Sequence, residues 1–142
     1  MSQPLETIRQ VAYVVRDLDA ALRYWVDVLY VGPFFMFENF VLGDQKYRGN
    51  PPNVDLTIAL GNSGAVQIEL ILQNNDEPSV YKEFLDAGRV GVHHFGLMPK
   101  DYAAECAKYR DLGFGPAFEA TVAGADLVYF DTVDALGHFT EF

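Results

Sequence analysis

The chain carries one sequence pattern twice, and this repeat constrains its fold more than any other feature. Each copy opens with a residue that can bind a metal, Gln10 or His94, followed by a short apolar run. Seven positions after the opening residue each copy has an aspartate, then an alanine-rich stretch and a Gly-Pro step before aromatic residues. His94 follows Gln10 by 84 residues and the two Gly-Pro steps lie 83 apart, so a single gap aligns the copies. A period of this length exceeds a solenoid unit and indicates a duplicated half-domain.

The first copy predicts one strand, one helix and three further strands. An apolar, β-branched run predicts a strand over 8–15. Asp17 is well placed to cap a helix over 18–30, where apolar side chains recur at helical spacing. The Gly-Pro step ends this helix, and strands are predicted over 34–40, 54–60 and 65–72. The segment 43–53 is rich in Gly, Pro and polar residues and predicts a loop.

The second copy predicts the same order of elements. It has a strand over 92–98, a helix over 102–112 and strands over 118–122, 127–131 and 138–142. A connector over 73–91 joins the copies and contains a short helix over 79–87. The sequence therefore predicts an α+β fold of two tandem βαβββ modules, at about 7–72 and 92–142, in one domain that spans 1–142.

Composition and charge narrow the classes of partner. Half of the residues are apolar and 14% are aromatic, which allows a packed core and argues against disorder. A net charge of −10 argues against nucleic acid or an anionic membrane as the partner and leaves a small molecule. We expect no signal peptide and no membrane-spanning segment. The lone cysteine, Cys106, cannot form an internal disulfide, so a cytoplasmic location is expected.

Four residues with metal-binding side chains occupy equivalent places in the two copies. Gln10 and His94 open the first strand of each copy, and Glu69 and Glu141 lie in the last strand of each. A carboxylate flanked by apolar residues in a strand is costly to bury unless it is paired or bound to a metal. The symmetry of the four favours one shared ion. His94 is chosen over His93 because only His94 keeps the seven-residue distance to an aspartate, and alternation predicts that His93 points to the opposite face.

Four segments of the chain resemble the vicinal oxygen chelate superfamily, which includes glyoxalase I, methylmalonyl-CoA epimerase, extradiol dioxygenases and bleomycin-resistance proteins. In one-letter code they are QVAYVVRDLD from Gln10, VQIEL from Val66, GVHHFGL from Gly91 and LGHFTEF from Leu136. The resemblance covers nearly the whole chain. It implies that the two modules form a curled mixed sheet around a metal-binding cavity, and that the metal ligands are Gln10, Glu69, His94 and Glu141.

The ligand types limit which metal ions can bind and which subfamily of the superfamily the chain resembles most. One imidazole, two carboxylates and one amide oxygen suit a divalent ion such as Zn²⁺, Ni²⁺, Co²⁺, Mn²⁺ or Fe²⁺. The set most closely resembles that of glyoxalase I. The epimerases typically carry His at the first position and Gln at the second, so Gln10 and Glu69 depart from them. Extradiol dioxygenases use two His and one Glu, and the chain departs from that pattern too.

The resemblance implies a metal-dependent lyase or isomerase that abstracts a proton next to a metal-bound carbonyl of a small substrate. Glu141 or Glu69 would act as the general base, with a preference for Glu141. An extradiol-type ring-cleaving dioxygenase is one alternative. A metal-free small-molecule binding protein, like the bleomycin-resistance proteins, is another.

Aromatic residues in the predicted strands suggest the walls of a substrate site. Phe35, Phe37 and Tyr129 are the candidate substrate-binding residues. The resemblance also implies a homodimer, whose modules either pair within one chain or exchange between two chains.

Overall fold

The computed structural model describes residues 8–142, so residue 7, where the first module was expected to begin, lies outside the described part. The strands are β1 (Gln10–Val14), β2 (Phe35–Val41), β3 (Gly43–Tyr47), β4 (Asp55–Ser63), β5 (Val66–Gln73), β6 (Val92–Gly96), β7 (Pro116–Val122), β8 (Ala125–Phe130) and β9 (Phe139–Glu141). The α-helices are α1 (Leu18–Arg23), α2 (Val80–Asp86), α3 (Tyr102–Asp111) and α4 (Val133–Leu136). A π-helical segment (Tyr24–Val28) continues α1.

All nine strands of residues 8–142 belong to one mixed sheet in the order β2-β4-β5-β1-β6-β9-β8-β7-β3. The first four strands of this order come from the first module and the next four from the second. The two modules join within the chain through antiparallel pairing of β1 with β6. The two ends of the sheet, β2 and β3, are separated in the chain by Leu42 alone. The sheet must therefore curl until it is nearly closed, which confirms the predicted α+β fold of two βαβββ modules.

The pairing register follows the sequence repeat. In the antiparallel pair β1–β6, Gln10 lies opposite Gly96 and Ala12 lies opposite His94. In the parallel pairs, Glu69 of β5 lies beside Ala12, and Glu141 of β9 lies beside Gly96. These are symmetric positions, and they bring the four candidate ligands to the centre of the sheet.

Three apolar clusters form the core. One lies on the concave side of the sheet and includes Val54, Tyr81, Phe118 and Phe139. The second lies between α1 and the outer face of the first module, and the third between α3 and the outer face of the second module. Among the described residues, no helix combines the length and apolar character needed to cross a bilayer.

The prediction of a loop throughout 43–53 is wrong, because its first half forms β3. This strand pairs antiparallel with β7, and its register places Lys46 opposite Glu119 and Tyr47 opposite Phe118. The buried side chain of Gln45 fixes β3 to the chain on both sides of it. Its amide nitrogen donates to the carbonyl of Leu42, before the strand, and to that of Val54, after it, at 3.0 and 3.1 Å. The polar composition of this segment predicts a loop. The strand forms because its backbone pairs with β7 and because the buried Gln45 amide bonds to Val54, and neither contact can be read from the local sequence.

The helix predicted over 18–30 also ends earlier than expected. Its α-helical part stops at Arg23, and in the π-helical segment the Leu29 amide donates to the Tyr24 carbonyl, five residues back. Val26 and Val28 in this segment are β-branched and exposed, so neither propensity nor burial favours a regular α-helix. The cap expected at Asp17 is present, since its carboxylate accepts from the Ala20 amide. The short helix α4 was not predicted.

Candidate metal centre

Three side chains converge on the Nε2 atom of His94 at the centre of the sheet. Glu141 Oε2 lies 2.6 Å from this atom, Gln10 Oε1 3.0 Å and Glu69 Oε2 3.4 Å. Ligand atoms of Glu69, His94 and Glu141 all lie within 4.8 Å of one another. The structure therefore brings together all four residues that the sequence selected as metal ligands.

The donor set has the features that a divalent cation requires. The His94 side chain is fully buried, and the Glu69 and Glu141 side chains are only 11% and 16% exposed. Among the described residues, Glu141 Oε2 is a buried oxygen without a hydrogen-bond partner, although it forms an ion pair with His94 Nε2 at 2.6 Å. Two carboxylates neutralise a divalent ion, and a mixed N/O set suits the first-row metals and zinc. The residues present thus fit a divalent metal.

The electrostatics of the cluster give His94 a second role when no metal is bound. Burial alone lowers the pKa of His94, but the nearby carboxylates of Glu141 and Glu69 raise it to about 9. Burial raises the pKa of Glu69, and the neighbouring Glu141 adds to this effect, while contact with His94 opposes it. The His94 imidazolium is therefore the cation of the metal-free cluster, and a metal ion must displace its Nε2 proton.

Two neighbours set the position of the Gln10 amide. Its Nε2 donates to Gln67 Oε1 at 2.8 Å, so its Oε1 is left to face His94. A Cβ atom at Gly96 would lie 3.0 Å from both the Cβ and Oε1 of Gln10, so glycine leaves the space that this side chain occupies. Gln67 was not selected from the sequence, although alternation already places it on the same face as Glu69.

His93 does not point to the opposite face, as alternation predicted. The register between β1 and β6 shifts at this point, with Ala12 opposite His94 but Tyr13 opposite Val92, so His93 is the extra residue of a β-bulge. Its Nδ1 lies 3.0 Å from Nδ1 of His94. Both imidazoles also contact the Tyr129 ring. The bulge turns both histidines to the concave side.

The hydrogen bonds of His93 define the tautomer of His94. His93 Nε2 lies 3.1 Å from the Val80 carbonyl, which can only accept, so this nitrogen carries the hydrogen. Burial lowers the pKa of His93 well below its usual range and keeps it neutral. Its Nδ1 therefore accepts from the Nδ1–H of His94. That arrangement leaves the lone pair of His94 Nε2 for a metal.

The candidate substrate-binding residues lie in two different places. Tyr129 is buried, and it lines a cavity of about 470 Å³ that opens beside Gln10, Glu69 and Glu141. Phe35 and Phe37 are 67% and 45% exposed, and neither lines this cavity. Phe40 from the same strand does.

Tyr81 also lines the cavity, and the sequence had not singled it out. It lies on α2 in the connector, where no spacing or motif marked it.

The comparisons with known proteins agree with this fold. The family model of the glyoxalase/bleomycin resistance protein/dioxygenase superfamily matches residues 9–130. The chain therefore belongs to this superfamily, as the resemblance indicated. No curated protein sequence matches the chain significantly.

Several solved structures share the fold at low sequence identity. Methylmalonyl-CoA epimerase from Mycobacterium tuberculosis is 21% identical, with a TM-score of 0.66 over 99% of this chain and 89% of that one. A variant of the Streptomyces coelicolor methylmalonyl-CoA epimerase in complex with 2-nitronate-propionyl-CoA is 21% identical, with a TM-score of 0.66 over 96% of this chain and 92% of that one. A hypothetical protein from Bacillus halodurans C-125 is 18% identical, with a TM-score of 0.64 over 96% and 91%. At this identity the likeness concerns the fold alone.

Replacement of His93 is expected to weaken metal binding, although all four proposed metal ligands remain in place. In His93→Phe the ring volume is kept, but His94 Nδ1–H loses its acceptor and the Nε2 tautomer is no longer favoured. We expect Zn²⁺ affinity to fall about 10- to 100-fold, as for other supporting partners of metal-bound histidines. Competition with a chromogenic chelator measures this affinity. His138→Phe is the matched control, because the His138 side chain contacts the Phe139 carbonyl and the Phe95 ring rather than His94; an equal loss in both variants would contradict the role of His93.

The thermal stability of the metal-free protein is expected to fall as pH rises from about 6.5 to 9. The folded pKa of His94 is about 9 and its unfolded pKa is about 6.5. Its contribution to stability is complete below the unfolded value and is lost as pH rises through the folded one. Calorimetry with a chelator present measures Tm, and His94→Gln should show a flatter profile across this range. Identical profiles for the two proteins would refute the assignment.

Proposed function

We propose that this protein is a divalent-metal-dependent lyase or isomerase that removes and returns a proton next to a carbonyl of a small substrate. One observation carries the proposal: the metal-binding donors meet at the edge of a largely apolar cavity. These donors are Gln10, Glu69, His94 and Glu141. Among the described residues, Glu141 Oε2 is a buried oxygen without a hydrogen-bond partner. A buried carboxylate beside a substrate-sized cavity is the arrangement that proton abstraction requires.

The roles of the four residues follow from their positions. Gln10, Glu69, His94 and Glu141 would hold one divalent ion, which supplies Lewis-acid stabilisation for negative charge that develops on the carbonyl oxygen. Glu141 is the preferred general base, since it lines the cavity and its side chain is the more exposed of the two carboxylates, at 16% against 11% for Glu69. Glu69 lines the same cavity and is the other candidate. His93 and Gln67 hold His94 and Gln10 in place.

The similar solved structures support this class of reaction. An epimerase inverts a carbon centre, and a methylmalonyl-CoA epimerase of similar structure is described in complex with methylmalonyl-CoA. Epimerisation at a carbon next to a carbonyl proceeds by removal and return of a proton. A sequence identity of about one fifth does not identify the substrate of this chain. Gln10 and Glu69 also differ from the residues that the epimerases carry at these positions. A glyoxalase-like substrate therefore fits the site equally well.

The proposal includes a homodimer in the cytoplasm. Exposed apolar side chains are concentrated on β2, including Phe35, Met36 and Phe37, and on the segment from Tyr24 to Tyr30. A second copy that covers these residues would remove them from water and would protect the free edge of β2.

The single cysteine, Cys106, is buried and unpaired, which suits a reducing compartment.

The metal itself is tested by elemental mass spectrometry on untagged protein. About one divalent ion per chain is expected, and it should be lost in Glu69→Ala/His94→Ala. The control Glu38→Ala/His138→Ala removes the same residue types outside the cluster and should keep the ion. A protein that takes up none of Zn²⁺, Ni²⁺, Co²⁺, Mn²⁺ or Fe²⁺ would overturn the enzyme proposal in favour of metal-free ligand binding.

Glu141→Gln is expected to lower turnover by about 10²- to 10⁴-fold, because it removes the general base but keeps the side-chain shape. Turnover is measured on hemithioacetals and acyl-CoA thioesters, with proton exchange into the substrate followed by NMR in D₂O. Metal content is measured on the same samples, so loss of the base is separated from loss of the ion. Glu38→Gln is the surface control. Retention of most activity in Glu141→Gln would exclude Glu141 as the base and leave Glu69.

Light scattering is expected to give a mass of about twice the 15.9 kDa of one chain. The variant Phe35→Ser/Phe37→Ser should shift the protein toward the monomer, because it removes apolar area from the proposed interface. Leu112→Ser, an exposed apolar residue at the end of α3, is the matched control. A wild-type monomer at micromolar concentration would refute the dimer.

A further inference from the structure

We infer that the 470 Å³ cavity selects substrates whose main body is uncharged and apolar, such as an aromatic or branched aliphatic ketone. This inference rests on the proposed function, because it names the substrate class of the same site. It is carried by the composition of the cavity walls, the signs of their charges and the position of two buried hydroxyl groups.

The cavity walls are hydrocarbon on nearly every side. Strands β2, β4 and β5 contribute aliphatic and aromatic side chains from the first module, and β7, β8 and the chain after β6 contribute them from the second. The principal ones are Phe40, Leu56, Ile58, Ile71, Leu97 and Leu127. A cavity of this volume holds a drug-sized or smaller molecule and buries most of its surface. Apolar substrate surface is therefore favoured at about 25 cal/mol per Å² removed from water.

The charges that line the cavity are all negative. Its acidic residues are Glu69, Glu141 and Asp126, and none of the described residues that line it is Lys or Arg. Residues 1–7 contain neither residue type. Arg48, the arginine of the 43–53 segment, instead pairs with Glu83 and Asp131 at 2.8 and 2.9 Å. Away from the metal site, an anionic group inside this cavity would lose its hydration without gaining a cationic side chain as a partner.

Two buried tyrosines provide a neutral hydrogen bond within the cavity. The hydroxyls of Tyr81 and Tyr129 lie 3.2 Å apart, and both residues line the cavity. One hydroxyl donates to the other, so the second keeps a proton that can be donated to a substrate oxygen. The pair suits a carbonyl or hydroxyl oxygen and offers no charge to an anion.

One cation lies near the metal cluster but in a different pocket. Arg9 lines a smaller cavity of about 280 Å³, which shares Gln10, Leu97, Met98 and Glu141 with the larger one. The predicted selectivity therefore applies to the part of the substrate that lies in the larger cavity. An experiment must distinguish binding there from binding beside Arg9.

The test compares two ligands that differ by one charge, 2-hydroxyacetophenone and its 4-carboxylate, by calorimetric titration of the Zn²⁺-loaded protein. The neutral ketone is expected to bind at least about tenfold more tightly, equivalent to about 1.4 kcal/mol. Asp126→Lys should raise affinity for the carboxylate several-fold, because it places a cation at the cavity wall. Asp111→Lys makes the same charge change at the exposed end of α3 and should leave both affinities unchanged.

Equal affinity for the two ligands would overturn the inference, as would failure of the neutral ketone to bind. Tighter binding of the carboxylate that is lost in Arg9→Ala would also overturn it and would place the substrate in the smaller pocket. Failure of the proposed function has a different signature. Selective binding of the neutral ketone, without exchange of its α-proton in D₂O, supports the cavity selectivity and contradicts the reaction.

Discussion

The antiparallel pairing of β1 with β6 is the constraint on which the rest of the structure depends. It joins two copies of one module at their first strands, so Gln10 faces Gly96 and His94 faces Ala12. The last strand of each module then pairs parallel to the first and brings a glutamate to the same place. A register slip of one residue would turn these donors to the outer face of the sheet, where α1 and α3 pack.

The centre of the sheet has one electrostatic requirement that two different cations can satisfy. Two buried carboxylates need positive charge nearby, since an uncompensated buried carboxylate is strongly destabilising. Without metal the His94 imidazolium supplies that charge, and with metal the ion would replace its proton. The bulge at His93 supports the second state, because its hydrogen bond leaves His94 Nε2 unprotonated whenever His94 is neutral. Metal binding and histidine protonation are therefore alternatives at one site.

Metal binding and substrate choice rest on different parts of the fold. The donors come from the four central strands β5, β1, β6 and β9. Most of the cavity wall comes from the outer strands β2, β4, β7 and β8, with further side chains from β5, from α2 and from the chain after β6. This separation explains how one fold supports different reactions, and why membership of the superfamily leaves the substrate to be argued from the cavity. Here the walls are apolar, and the charged side chains that line the cavity are acidic, which favours a neutral substrate.

The sequence by itself determined the duplication, the two βαβββ modules and the four donors, because periodic patterns and a repeated spacing are local properties of the chain. The tertiary structure decided what depends on contacts between distant segments. It formed β3 through its pairing with β7, turned His93 inward at a bulge set by β1, and brought Tyr81 of the connector into the cavity. It also left Phe35 and Phe37 exposed, because the curl of the sheet decides which face of an edge strand is covered.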